Sequence, residues 1–223
     1  MRARRRGPTV LAEISGPAPG ATGAWSLRRA DLEALAEVQG SLAADRVALL
    51  TGAEAPVAAL ALAGAATAAG RRTVLLECDL ARPRLAVDLG LAPVPGLHEY
   101  LRWEASAPQI LQPLALAGPA AGGATSALVC IPAGRPASDQ ATLLGLPSFG
   151  HAVAKLRSAY DLVVLAGPSF EAPGAGLEAL ATEADAVIAA VPPPASSRAA
   201  RRRLRSSLRR LPAPARGLLV VGG

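Results

Sequence analysis

The chain has 223 residues, of which 51% are hydrophobic and 3% aromatic, and its formal net charge is +6. This length fits one globular domain with a modest N-terminal extension, and the apolar fraction is sufficient for a core built largely from small side chains. A basic surface permits attraction to nucleic acid, anionic lipid or an acidic partner, but it selects none of them. Nearly all of the positive charge is arginine, because Lys155 is the only lysine.

The sequence offers little support for secretion or for a membrane span. Met1–Arg6 is basic like the start of a signal peptide, but Gly7–Gly20 contains a glutamate and three prolines and so lacks an apolar stretch. Val47–Ala69 is low in charge but mostly alanine, which predicts a strand, a turn and a buried helix. Cys78 and Cys130 are expected to be buried free thiols of a reducing compartment. We therefore expect a cytoplasmic protein.

The N-terminal part of the chain differs in composition from the rest. Residues 1–25 are rich in Pro, Gly and Arg and are predicted to form a disordered tail, followed by one domain over residues 26–223. An apolar stripe at helical period predicts that this domain begins with a helix over Ser26–Leu42.

After this helix, short apolar runs alternate with helical stretches. The predicted strands are Val47–Thr51, Thr73–Glu77, Ala127–Ile131, Asp161–Ala166, Ala186–Val191 and Gly217–Val221. The predicted helices are Pro56–Ala69, His98–Arg102, Ser148–Ala159, Leu177–Glu183 and Ser196–Arg210. Strands that are apolar throughout and separated by helices predict an α/β domain of three layers, with a mostly parallel sheet covered on both faces.

One segment at the end of the second predicted strand is informative about the family. It reads Leu75-Leu76-Glu77-Cys78-Asp79-Leu80-Ala81-Arg82-Pro83-Arg84-Leu85. It resembles the LLIDxDLRxPRL-like second acidic motif of the bacterial tyrosine kinases of capsule and exopolysaccharide synthesis. Further resemblances to that family follow in order: Pro95–Leu101 to PGLxDxL, Ile131–Gly134 to LPAG, Leu143–Phe149 to LLxSxxF, Tyr160–Leu165 to YDxVIxD and Ala184–Val187 to ADGV. Together they extend from about Leu32 to the C-terminus and imply a P-loop fold.

The loop that this resemblance assigns to phosphate binding is degenerate. The family uses ATP and Mg²⁺, which a P-loop holds through glycine N–H groups, a lysine and a Ser/Thr hydroxyl. The matching loop reads Thr51-Gly52-Ala53-Glu54-Ala55-Pro56, without Gly-Lys-Ser/Thr. We interpret Glu54 as a built-in anion at the N-terminus of the following helix, where a carboxylate contributes about 0.3–1 kcal/mol. Pro56 removes one N–H donor and suits the start of a helix.

The acidic positions of the resembled family are also altered. Glu77 stands where the family has an aspartate, and its extra methylene displaces the carboxylate. Asp79 is retained, but Ala166 replaces the aspartate that ends the Walker B-like strand, so that the Mg²⁺ shell loses an acceptor. We therefore expect no catalytic residue, no metal and no cofactor, and interpret the chain as a kinase relative that does not transfer phosphate.

Arginines beside this site and near the C-terminus are the remaining candidates for binding. Arg82 and Arg84 either contact a phosphate or sugar phosphate or pair with nearby acidic side chains. The last predicted helix is either a sheet-covering helix with a solvated face or a docking face for anionic lipid or an acidic partner. Its candidate contacts are Arg198, Arg201, Arg202, Arg205 and Arg209. No interleaved aromatics or named motif favours nucleic acid.

Three functions remain open. The resemblance implies a non-catalytic regulator or scaffold of exopolysaccharide synthesis or export. Its partner would be a membrane chain-length or co-polymerase protein or an active kinase paralogue, and its location the cytoplasm or the inner face of the membrane. The second function is an active tyrosine kinase or ATPase that uses Arg71, Arg72 or Arg82 on phosphate. The third is a basic DNA-associated relative of the partitioning ATPases. The missing loop lysine disfavours the second, and the kinase motifs favour the first over the third.

Overall fold

The computed structural model describes residues 9–19, 25–117, 126–170, 176–193 and 204–222. Within these ranges ten strands form one sheet. The strands are β1 (Val10–Ile14), β2 (Ala18–Pro19), β3 (Trp25–Ser26), β4 (Val47–Thr51), β5 (Thr73–Glu77), β6 (Gln112–Ala117), β7 (Ser126–Ile131), β8 (Leu162–Ala166), β9 (Ala186–Val191) and β10 (Ala215–Val221). The helices are α1 (Arg29–Ser41), α2 (Ala55–Ala68), α3 (Leu85–Leu89), α4 (Leu97–Leu101), α5 (Ala107–Ile110), α6 (Gln140–Leu144), α7 (Pro147–Ala159) and α8 (Leu177–Glu183).

The sheet is mostly parallel, as predicted. Its order is β1-β10-β9-β4-β8-β5-β7-β6-β3-β2. Every neighbouring pair from β1 to β7 in this order is parallel, whereas β6 runs antiparallel to β7 and β2 to β3. Every residue of β4, β5 and β8 is buried, because these central strands have neighbours on both edges and helices on both faces.

Alternate residues of β4 belong to two different cores, one on each face of the sheet. Ala48 and Leu50 pack with residues of α1 and α2, whereas Val47 and Leu49 pack with residues of α4, α7 and α8. Side chains of successive strand residues point to opposite faces, so this division is what a sheet between two helical layers requires. The predicted three-layer architecture is therefore confirmed.

Helix α2 is buried over almost its whole length. Alanine has the highest helix propensity, and a helix that is apolar on all sides is suited to a position between the sheet and another helix, here α1. The helix ends at Ala68, and Gly70, two residues later, has a φ of 83°, which is unfavourable for other residues. There the amides of Gly70 and Arg71 donate to the carbonyls of Thr67 and Ala66 at 2.9 and 3.0 Å.

The N-terminal segment differs from the prediction. The prediction that all of residues 1–25 are disordered is wrong for Val10–Ile14, which forms β1 at the edge of the sheet beside β10. The amide of Leu218 donates to Thr9 O and that of Gly222 to Ile14 O, each at 2.8 Å. A strand of five residues between Pro- and Gly-rich neighbours has too weak a pattern to predict, although the side chain of Ile14 is buried. The ordered domain therefore begins before residue 26.

Other helices and strands also differ from the bounds predicted from the sequence. The first helix begins at Arg29 rather than at Ser26, because Ser26 belongs to β3 and pairs with Ala117 of β6. Strand β6 lies between the predicted helix His98–Arg102 and the predicted strand Ala127–Ile131, where no strand is predicted. Of the predicted helix Ser196–Arg210, residues 196–203, with Arg198, Arg201 and Arg202, lie outside the described residues, and residues 204–208 are helical. No helix in the described ranges is long and apolar enough to cross a membrane.

Two of the motifs that resemble the kinase family contact each other closely. The amides of Leu97 and His98 donate to the carbonyls of Pro132 and Ala133, each at 2.8 Å. A Cβ atom on Gly96 would collide with the backbone of residues 132 and 134, so only glycine permits this approach. The start of α4 is thus held directly against the loop that follows β7.

The Glu99 carboxylate is buried at this contact and makes three kinds of hydrogen bond. It accepts from the amide of Gly96 at 2.8 Å, from Arg135 Nε at 2.9 Å and from His98 Nδ1 at 3.0 Å. Arg102 Nε donates to His98 Nε2 at 2.9 Å, which fits the imidazole tautomer with its proton on Nδ1. Burial alone would raise the pKa of Glu99, but the hydrogen bonds from His98, Gly96 and Arg135 lower this pKa to about 2.

Because the pKa of Glu99 in the folded protein lies below the ordinary value of 4.5, its carboxylate stabilises the fold above that pH. This contribution is lost as the pH falls from 4.5 toward 2. We expect Glu99→Gln to lower the free energy of unfolding by up to about 3 kcal/mol near neutral pH, with a smaller difference in acid. Urea denaturation over a pH series measures this difference. Glu37→Gln, at an exposed position, is the control, and an equal loss at every pH would contradict the assignment.

Candidate functional site

A cleft of about 580 Å³ lies at the carboxyl ends of β4, β5 and β8. Ligands of open parallel sheets bind at this edge, outside the ends of the strands. The lining residues lie at the ends of these three strands or shortly after them. They are Gly52, Ala53 and Pro56 after β4; Glu77, Asp79, Arg82 and Arg84 at and after the end of β5; and Ala166, Gly167 and Ser169 at and after the end of β8. The structure thus brings together most of the residues predicted for the site.

The connection between β4 and α2 contains only three residues, Gly52, Ala53 and Glu54. Gly52 has a φ of 122°, and a Cβ atom there would collide with the carbonyl oxygen of Ala190 in β9. The amide of Glu54 points to the same carbonyl oxygen at 3.4 Å, and Thr51 Oγ1 donates to Pro168 O at 2.7 Å. The connection therefore packs against the neighbouring strand ends, and its polar groups are partly engaged there.

The interpretation of Glu54 as a built-in anion has no support from hydrogen bonding in the structure. Its side chain makes no hydrogen bond to the first amides of α2, and it is absent from the described lining of the cleft. The backbone of Glu54, with φ −101° and ψ 15°, lacks the extended conformation from which an N-cap side chain usually reaches back to the helix. Pro56, in contrast, lies in the first turn of α2 as predicted.

Glu77 is the buried carboxylate at the floor of the cleft, with 3% of the residue exposed. Its Oε1 accepts from the amides of Arg84 and Leu85 at 2.5 and 2.7 Å, and its Oε2 accepts from the amide of Ala133 at 3.2 Å. Both carboxylate oxygens of Glu77 thus accept hydrogen bonds from backbone amides. This arrangement ties the end of β5 to the start of α3 and to the loop after β7.

The two carboxyl groups at the end of β5 bind protons more readily than usual. Burial raises the pKa of Glu77 most, three backbone hydrogen bonds lower it by less, and the nearby negative charge of Asp79 raises it slightly further. Burial also raises the pKa of Asp79, against the lowering effect of Arg82. Among the described residues, no three His, Cys, Asp or Glu side chains come together as a metal site would require.

The arginines of the cleft pair locally, which is one of the two alternatives from the sequence. Arg82 lies 3.5 Å from an oxygen of Asp79, and Arg84 lies 3.9 Å from one of Asp88. The arginine side chains are 61% and 72% exposed, and ion pairs this exposed contribute only about 0–1 kcal/mol. An anion in the cleft would therefore compete for both guanidinium groups at little cost.

The other cations predicted to contact phosphate lie elsewhere. Arg71 and Arg72 precede β5, at the opposite end of the sheet, where Arg72 pairs with Asp161 at 2.7 Å. Lys155, for which no phosphate contact is predicted, lies on α7 and is not among the described residues that line the cleft. Sequence reasoning missed Gly167 and Ser169, although both follow a correctly predicted strand whose carboxyl end indicates the position of the site.

We expect Glu77→Ala to leave three amides, two of them buried, without an acceptor and to lower the free energy of unfolding by about 3 kcal/mol or more. Glu77→Gln keeps one acceptor oxygen and should cost less. The control is Asp79→Ala, which removes the neighbouring carboxylate and its hydrogen bonds from the exposed Arg82, and should cost about 1 kcal/mol or less. Urea denaturation compares the three variants. Equal losses of stability in Glu77→Ala and Asp79→Ala would show that Glu77 does not hold the end of β5 to α3 and to the loop after β7.

No protein-family model and no curated protein matches the sequence. Solved structures do match this chain. The kinase domain of Escherichia coli tyrosine kinase Etk matches with a TM-score of 0.78 and 14% identity, covering 96% of this chain and 90% of that one. The BceF tyrosine kinase domain matches with a TM-score of 0.74 and 18% identity, covering 96% and 93%. The cell division ATPase MinD of Pyrococcus furiosus matches with a TM-score of 0.60 and 15% identity, covering 78% and 70%. The chain therefore has the P-loop fold of the bacterial tyrosine-kinase domains.

Proposed function

We propose that the protein is a catalytically degenerate relative of the capsule and exopolysaccharide tyrosine kinases that regulates or scaffolds polysaccharide synthesis or export. The observation that carries this proposal is the three-residue connection between β4 and α2, which has no lysine and packs against β9. A phosphate-binding loop needs several consecutive amides around the phosphates, together with a lysine and a hydroxyl for Mg²⁺. A connection this short has too few residues to surround a triphosphate.

The groups in the connection and beside it are poorly placed for phosphate. The hydroxyl of Thr51 donates to Pro168 O, and the amide of Glu54 points to Ala190 O. Pro56 has no N–H to offer. The half-buried carboxylate of Glu54 would also repel an anion entering from this side. These features support loss of tight nucleotide binding.

The end of the Walker B-like strand supports loss of catalysis in a different way. Ala166 supplies only a methyl group to the cleft, and both oxygens of Glu77 already accept backbone hydrogen bonds. Breaking those bonds to bind a hydrated Mg²⁺ would leave buried amides unpaired, which costs about 1–3 kcal/mol for each group. In this proposal Glu77 has a structural role instead of a metal-binding role.

A scaffold acts through its surface, and the proposed partner is a membrane chain-length or co-polymerase protein or an active kinase paralogue. Helix α1 carries Glu33, Ala36 and Gln39 where the resembled family often has an E-x-x-R-x-x-R pattern linked to ring assembly. We therefore propose that any assembly uses other contacts. Arg205 and Arg209 line a groove beside the start of β10 and are candidates for contact with an anionic surface.

A kinase or ATPase with an unusual site is the second candidate, favoured by one observation. Arg82 and Arg84 line the cleft and form only exposed ion pairs there. In this alternative they replace the missing lysine in binding phosphate. Their exposure weakens the effect of each charge, because water screens it. The two candidates differ in their affinity for nucleotide.

Titration calorimetry with Mg-ATP and Mg-ADP distinguishes the two candidates. The degenerate site should release no binding heat up to about 1 mM nucleotide, which corresponds to binding weaker than about −4 kcal/mol. Micromolar binding that is lost in Arg82→Ala or Arg84→Ala would overturn the proposal and establish the second candidate. Exposed Arg210→Ala is the control for a general loss of positive charge.

Glu54→Gln tests whether repulsion by this carboxylate alone prevents nucleotide binding. Because the side chain of Glu54 makes no hydrogen bond to the first amides of α2, we expect the free energy of unfolding to change by less than about 0.5 kcal/mol. We also expect no nucleotide binding, since the length of the connection is unchanged. Calorimetry and urea denaturation check both results. Tight ATP binding by this variant would show that the short connection still accommodates phosphate.

A further inference from the structure

A second concave surface lies away from the cleft, between the end of α4 and the outer face of α7. This groove has a volume of about 450 Å³ and shares no described lining residue with the cleft. Trp103 forms one side of it, and His151 and Lys155 of α7 form the other. We call it the Trp103 groove.

Trp103 has a backbone conformation that is unfavourable for tryptophan. Its φ is 64°, and among the described residues it is the one non-glycine residue with a positive φ. The amide of Trp103 donates to Tyr100 O at 3.1 Å and that of Glu104 to Glu99 O at 2.8 Å, the hydrogen bonds of a Schellman motif at the end of α4. Glycine is the usual residue at this position, because a Cβ atom is strained there.

Packing does not explain the tryptophan either. Trp103 is 85% exposed, the highest value among the exposed large hydrophobic residues of the described chain. Burial in a core is the usual reason for a large aromatic residue, and aromatic residues with exposed rings are typical of binding hot spots. Since neither the backbone nor the core benefits from this side chain, we look for its role in contact with another molecule.

The opposite side of the groove provides polar and cationic groups. Ser148, His151, Lys155 and Ser158 recur at helical spacing on one face of α7, and all four line the groove. Ser148 Oγ is buried, and among the described residues it is the one buried side-chain nitrogen or oxygen without a hydrogen-bond partner. Such an atom is normally satisfied, and a bound ligand would supply the missing partner.

The charge of the groove indicates what it binds. None of the described residues that line it is acidic, whereas Lys155 contributes an exposed ammonium and His151 an imidazole. The neighbouring carboxylate of Glu104 is paired with Arg135. A ligand with carboxylates and an apolar side chain would therefore complement both sides. An anionic membrane is a poorer match, since membrane attraction relies on several basic residues together.

We propose that the Trp103 groove binds an acidic peptide segment of a partner protein. An aromatic or aliphatic side chain of the peptide packs on the ring of Trp103, its carboxylates pair with Lys155, and a polar group bonds Ser148 Oγ. This inference goes beyond the proposed function, because it holds whether or not the cleft binds nucleotide. It assigns a docking surface to a part of the fold that the cleft does not use.

The test uses the full chain and a fluorescein-labelled peptide, acetyl-Asp-Glu-Phe-Glu-Asp-amide, with anisotropy as the readout. We expect a Kd below about 1 mM for this peptide. Trp103→Gly should weaken binding by about tenfold or more, as expected for an aromatic hot spot. The same variant should melt at an equal or higher temperature, because glycine relieves the strained backbone and no buried contact is lost. A lower affinity for the peptide without a lower melting temperature would show that Trp103 acts in docking and not in stabilising the fold.

Lys155→Glu should also weaken binding by about tenfold, since it reverses the charge that faces the peptide. Arg210→Glu makes the same change in net charge at an exposed position outside the groove and should alter the Kd by less than about twofold. The inference is overturned if the acidic peptide fails to bind at about 1 mM. It is also overturned if acetyl-Lys-Arg-Phe-Arg-Lys-amide binds equally well, or if Arg210→Glu raises the Kd for the acidic peptide as much as Lys155→Glu does.

Discussion

The hydrogen bonding of two buried carboxylates organises the loops at the carboxyl edge of the sheet. Glu77 joins β5 to the start of α3 and to the loop after β7, and Glu99 joins the start of α4 to the same loop. Each carboxylate accepts backbone amides from segments that are distant in sequence. Because an unpaired buried amide is costly, these contacts determine where the loops lie and hence the shape of the cleft. The shape of the cleft therefore depends on contacts within the protein.

A P-loop fold that retains its architecture while its site changes is physically reasonable. The central strands are held by backbone ladders and by two apolar cores, neither of which depends on a lysine or on Mg²⁺. The site depends on a few side chains and on the length of one connection. In the proposed function, Ala166 and the Gly52–Glu54 connection alter the chemistry of the cleft while all of β4 and β8 remains buried. Fold and chemistry are then separable.

Much of the fold was predictable because its central strands are apolar throughout. Val47–Thr51 and Thr73–Glu77 have the predicted bounds, and the parallel arrangement follows from their alternation with helices. The edges of the sheet were not predictable. Val10–Ile14 and Trp25–Ser26 are short, and their pairing depends on distant strands rather than on local pattern. Strand pairs between residues far apart in sequence leave little local signal.

The site was predictable in position but not in detail. The motif around Glu77 and Asp79 places both residues correctly at the end of β5, and Arg82 and Arg84 beside them. The role of Glu54 was not predictable, because it depends on backbone angles rather than on residue type. The Trp103 groove was also invisible in the sequence, since Trp103 and the exposed face of α7 are distant along the chain.

The position of Lys155 has a chemical consequence of its own. It is the only lysine in the sequence and it lies exposed on α7, within the Trp103 groove. Reagents and enzymes that acylate lysine side chains therefore have a single target in this protein. Acetylation there would remove the one ammonium of the groove, so that a modification at one atom would change the charge of the whole docking surface. The scarcity of lysine thus makes this surface unusually easy to label, cross-link or silence chemically.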